Sequence, residues 1–201
     1  MARAPVQDRS KARVERVLTT AGAMLSDEAQ PITARALAAR SGVSLGTIYQ
    51  FFADMDAVRA AVETRAETLL VEILEVKLPS TLARDPAAFF AALIATVEGL
   101  KDCYPELGCI MREKPPGSFA ESLAIHLRGV VLTHIRTAFR TAWADHDRAE
   151  LDRVLDMATT ALLAVLPGLP SHGEPGREAY LADLHCLAAG LVTRRLNPGA
   201  G

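Results

Sequence analysis

Residues 33–52 read Thr33-Ala34-Arg35-Ala36-Leu37-Ala38-Ala39-Arg40-Ser41-Gly42-Val43-Ser44-Leu45-Gly46-Thr47-Ile48-Tyr49-Gln50-Phe51-Phe52. Two short helices are written into this stretch. Thr33 is placed to cap one over 34–41, and Ser44 to cap another over about 45–52. Gly42 between them supplies the left-handed backbone a sharp turn demands. Ala38 is small enough to let two crossing helices approach. Leu37, Val43, Ile48 and Phe51 are the apolar residues for the space between them. Short helices joined by a glycine turn form the helix-turn-helix pattern. An ordinary corner between two helices uses similar residues.

Outward from this stretch the helical period continues. Upstream, Val14, Val17, Leu18, Ala21 and Leu25 line one face of a helix over about 9–29, ended by Pro31. Residues 1–8 read as a flexible arm. Downstream, Asp54 caps a long helix over about 55–78. Further helices are expected over 86–103, 105–114, 118–145, 147–166 and 177–196. No segment alternates with a period of two. The chain therefore reads as all-α, with nine helices. An N-terminal three-helix unit over 1–54 holds the motif at about 34–53, and a larger helical unit covers 55–201.

Composition bounds the function. The chain has 201 residues, half of them apolar, with 22 basic and 24 acidic side chains and a net charge of -2. That length buries a core without disulfides or metals. Residues 1–60 are net basic and the remainder net acidic. The longest apolar run, Ala87–Ala95, is too short to span a bilayer. The N-terminal Met1-Ala2-Arg3-Ala4-Pro5 has no apolar stretch before charged residues begin, so no signal peptide is expected, and three cysteines (Cys103, Cys109, Cys186) do not make a disulfide framework. A cytoplasmic protein is expected, with no membrane partner. The cysteines and histidines fall in no metal-ligand spacing, and no glycine-rich cofactor loop or nucleophile–base pair appears. Neither metal nor cofactor is expected, and no enzymatic activity.

The string Thr33 to Ala38 followed by Gly42-Val43-Ser44-Leu45-Gly46-Thr47-Ile48-Tyr49-Gln50-Phe51-Phe52 resembles the tetracycline-repressor (TetR) family. The resemblance covers about residues 10–60. It implies a homodimeric transcriptional regulator, usually a ligand-responsive repressor on a palindromic operator of double-stranded DNA. It places the recognition helix at about 44–52. Ser44, Leu45, Thr47, Tyr49 and Gln50 then face DNA, with Thr33 and Arg35 near phosphates. The chain departs from the family pattern at Leu45, Gln50 and Met55, where basic residues are frequent. Phosphate anchoring would then fall to Arg3, Arg9, Lys11, Arg13, Arg35 and Arg40.

The resemblance also implies an effector pocket within residues 86–145. Its candidate walls include Phe90, Tyr104, Met111, His126, Val130, His134 and Trp143, a mostly apolar set suited to a small hydrophobic or aromatic effector. Such side chains are more often plain core. The helices over 147–166 and 177–196 carry wide apolar faces, with Tyr180, Leu184, Leu187 and Leu191 inward on the last. In the family these helices pair across a two-fold axis; they can also close the monomer's own core. The alternative function is a helical ligand-binding protein or enzyme without DNA binding. A dimer of this kind that has lost DNA affinity is a third reading.

Overall fold

The computed structural model describes residues 6–27, 32–111, 116–170 and 173–196. Arg3, Pro31 and residues 112–115 lie outside that range, and so does the side chain of Met111. Among the described residues the chain has eight α-helices and no strand. They are α1 (Val6–Asp27), α2 (Ala34–Ser41), α3 (Leu45–Phe51), α4 (Met55–Lys77), α5 (Pro86–Cys103), α6 (Phe119–Ala142), α7 (Arg148–Val165) and α8 (Arg177–Leu196).

The ninth expected helix, over 105–114, is instead a run of 3-10 turns, Pro105–Met111. Gly108 in its middle is a poor helix former, and 3-10 geometry suits such short pieces. Elsewhere the helices begin where short polar side chains can satisfy free N–H groups. The Ala57 N–H donates to Asp54 Oδ1 at 2.7 Å, and the Glu150 N–H to Asp147 Oδ1 at 2.8 Å. The Glu121 N–H donates to Ser118 Oγ at 3.1 Å.

The buried apolar residues form two clusters. One joins α1, α2 and α3 to the first turns of α4, through Val17, Leu37, Val43, Ile48, Phe52, Val58 and Val62. The other runs from Ala66 of α4 through α5, α6 and α7 to Leu196 of α8. The expected division after residue 54 falls at the start of α4, whereas the clusters divide inside that helix, between Val62 and Ala66. Phe119, at the start of α6, packs against both. The second cluster centres on Phe89, Phe90 and Phe139, with Phe89 and Phe139 edge to face at 5.0 Å between ring centres.

Two details of the apolar pattern fall differently from expectation. At the end of α3 it is the closing residue Phe52 that is buried, while Phe51 is 38% exposed. Residue 52 lies four positions after the buried Ile48 and so shares its face. On α8 the inward row is Leu184, Ala188, Val192 and Leu196, spaced by four. Tyr180 and Leu187, expected inward, are 55% and 56% exposed.

Polar links stitch the helices across the surface. Arg136 of α6 makes a forked pair with Asp156 of α7, its Nε donating to Oδ1 at 2.7 Å. One turn on, Arg140 forks onto Asp152, Nε to Oδ1 at 2.9 Å. The Arg140 hydrogen bonds hold the Asp152 carboxyl below its ordinary 3.8, and burial opposes this only in part. A carboxyl depressed in the fold stabilises above its unfolded pKa and loses that contribution as pH falls through the folded value. Acid titration of urea stability should therefore show a shallower fall below pH ~4 for Asp152→Asn than for the parent chain. Identical acid limbs would show that this pair adds nothing to stability.

Candidate nucleic-acid interface and ligand groove

The segment from Thr33 to Phe52 folds as two capped helices around a left-handed residue. The Ala36 N–H donates to Thr33 Oγ1 at 3.2 Å, opening α2. Gly42 closes α2 at φ 66°, its N–H donating to the Ala38 carbonyl at 3.1 Å. Ser41 is buried beneath the turn, and the Val43 N–H donates to its hydroxyl at 3.4 Å. The Thr47 N–H then donates to Ser44 Oγ at 3.2 Å, and the two hydroxyls of Ser44 and Thr47 lie 2.8 Å apart.

Ile48 and Phe52 point into the N-terminal cluster and fix the rotation of α3 about its axis. The opposite side is left to solvent. Leu45 is 40% exposed and Tyr49 52%, and Ser44, Gly46 and Gln50 are exposed beside them. Thr47 is half-buried. The face is uncharged, amphipathic and rich in groups that read base edges: an amide, hydroxyls and apolar surface. Thr33 and Arg35 are both exposed at the start of α2. Exposed cations flank this unit: Arg9, Lys11 and Arg13 on α1, and Arg35 and Arg40 on α2. Among the described residues none of these five is held in an ion pair.

A groove of about 570 Å³ lies between α4 and α6. Glu67 and Val71 form its α4 wall, and Ile125, His126, Gly129, Val130, Thr133, His134 and Thr137 its α6 wall. The volume is that of a small-molecule site. His126 Nε2 lies 3.0 Å from Glu67 Oε2, and its Nδ1 lies 3.8 Å from Glu63 Oε1. His134, two turns further along the same face, donates from Nε2 to the Leu78 carbonyl at 2.9 Å, capping the end of α4. Both histidines of α6 thus hold α4. Their partners stand 59 and 56 residues away in sequence, so spacing within α6 could not reveal them.

The expected pocket set is divided by the fold. His126, Val130 and His134 share this groove. Phe90 is fully buried in the ring cluster instead. Trp143 packs at the edge of the same cluster and donates its indole N–H to the Ala83 carbonyl at 2.8 Å. Tyr104 packs half-buried against that cluster.

No protein-family model matches the chain, and no curated protein matches it. Among the described residues no group of three or more His, Cys, Asp or Glu is placed to hold a metal ion, and no helix is long and apolar enough to cross a membrane. Cys109 is buried, while Cys103 and Cys186 are exposed and unbridged.

Proposed function

We propose that the chain is a DNA-binding transcriptional regulator of the TetR kind, which inserts α3 into the major groove as a homodimer and releases DNA when a small molecule occupies the α4–α6 groove. The observation that carries this reading is the exposed, uncharged face of α3. Two side-chain caps and a left-handed glycine hold it rigid, and free cations flank it. Rigid presentation of a few polar and apolar side chains is what base readout needs.

The effector's role follows from connectivity. α4 belongs to both clusters, so any shift of its middle against α6 is passed to α2 and α3. His126 and His134 hold α4 in one position against α6. A ligand that inserts between Val71 and Val130 would favour another position, and only that difference in affinity can drive release. The homodimer reading rests on Met157 and Val165 of α7 and Tyr180 and Leu187 of α8. All four are large apolar residues left 46–56% exposed. A two-fold contact through α7 and α8 would cover them.

The test is a gel shift with DNA flanking the protein's own coding region, at low and moderate salt. A discrete shift that needs a palindrome and weakens with salt is the expected result. A folded dimer that shifts no flanking fragment, and no pool of random duplexes after selection, would remove the DNA-binding reading and leave a helical ligand-binding protein.

A further inference from the structure

The forked pairs between α6 and α7 follow a register. Arg140 meets Asp152, and one turn away on each helix Arg136 meets Asp156. A further turn sets Leu132 opposite Thr160, and the next sets Arg128 opposite Ala164. The third arginine of the row therefore faces an alanine where the first two face aspartates.

That rung is not closed over. A cavity of about 170 Å³ lies there, lined by Arg128, Gly129, Leu132, Thr159, Thr160, Leu163 and Ala164. Thr160 and Ala164 are exposed at its mouth, and Leu163 and Thr159 are buried at its base. Arg128 Nη2 donates to the Ile110 carbonyl at 3.0 Å, which fixes the guanidinium beside the cavity. Its Nε is buried and, among the described residues, has no hydrogen-bond partner. Thr159, only 1% exposed, also has a hydroxyl without a partner. Among the described residues no carboxylate pairs with Arg128. Buried unpaired donors are costly, and a guanidinium has only donors to offer. Two such groups line one cavity.

We infer that this α6–α7 cavity binds a small aliphatic carboxylate, whose carboxyl group takes the place of the aspartate missing opposite Arg128. The planar two-oxygen acceptor matches the fork that Arg136 and Arg140 already use. The Thr159 hydroxyl is a second donor within the same lining. Leu132, Leu163 and Ala164 take a short hydrocarbon tail. The volume equals about six waters' share of the liquid, which suits a chain of a few carbons. The site lies on the α7 side of α6 and the groove on its α4 side, with Gly129 lining both, and it does not depend on DNA binding.

Sodium butyrate is the probe, with butyramide as its uncharged isostere and inorganic phosphate as the competing anion. Thermal melting and calorimetric titration of the whole chain are the readouts. Butyrate should bind and raise the melting temperature, and butyramide and phosphate should not. Arg128→Gln should weaken butyrate by about tenfold or more, as loss of a charged hydrogen bond requires, and Arg128→Lys by less. Ala164→Asp is the decisive variant. It supplies the missing carboxylate internally, so it should melt higher than the parent without ligand and no longer respond to butyrate. It also decides the matter if Arg128→Gln fails to fold. Equal binding of butyrate and butyramide, binding of neither, preference for phosphate, or an unchanged butyrate response in Ala164→Asp would each overturn the assignment.

Discussion

Arg177→Met should lower unfolding free energy by about 3–5 kcal/mol, the range seen when one partner of a buried ion pair is removed. Arg177 begins α8 and is only 7% exposed. One guanidinium nitrogen donates to the Pro170 carbonyl and another to Glu98 of α5. Methionine fills similar volume but leaves the Glu98 carboxylate desolvated with nothing opposite it. For a chain of this size each kcal/mol moves the melting point by about 2–4 °C, so a drop of roughly 6–20 °C is expected. The companion Arg177→Met/Glu98→Leu should regain most of the loss, because it removes both charges together. A single variant that melts within a degree or two of the parent would show that the pair is solvated. On the proposed dimer reading the link would also bear on assembly, since it fixes the start of the helix that exposes Tyr180 and Leu187.

The second large effect concerns DNA. Tyr49→Ala combined with Gln50→Ala should weaken operator binding by about 2–6 kcal/mol, roughly thirtyfold to twenty-thousandfold, at one to three kcal/mol per base-reading side chain. Both side chains are exposed and neither is in a core cluster, so the melting temperature should stay near that of the parent. Arg35→Gln should act differently. It should weaken all duplexes alike and make the salt slope shallower by about 0.9 for each phosphate that is no longer neutralised. Binding that survives the double variant at full strength would remove α3 from the interface. A fall in melting temperature parallel to the loss of binding would mean the variant had merely unfolded the unit.

Much of the fold is legible in the sequence because its signals are local. Thr33, Ser44, Asp54 and Ser118 announce helix starts with their own side chains, and Gly42 marks the turn through a conformation other residues avoid. What escapes is whatever depends on a partner distant in sequence. Tyr180 and Leu187 look inward by hydrophobicity, yet the face of α8 is chosen by how Leu184, Ala188 and Val192 meet α5 and α7. Phe51 and Phe52 are equal candidates by composition, and only the rotation of α3 set by Ile48 separates them. The histidines of α6 show their purpose only when Glu67 and Leu78 of α4 arrive beside them. The open rung at Arg128 becomes visible only once α6 and α7 are in register.

The division of the core inside α4 has a mechanical consequence. Glu67, in the groove wall, and Met55, where the helix begins, are about 18 Å apart along one unbroken rod. Pivoting that rod by a mere ~10° at the groove would sweep its far end through about 3 Å, close to one base-pair step along B-DNA. In a two-fold assembly the sweep occurs twice, in opposite senses, so the separation of the two reading heads would change by about two steps. On the proposed reading, geometric gain of this sort means that a ligand no bigger than the groove would need to displace its walls by only an ångström or so to throw both heads out of phase with the duplex.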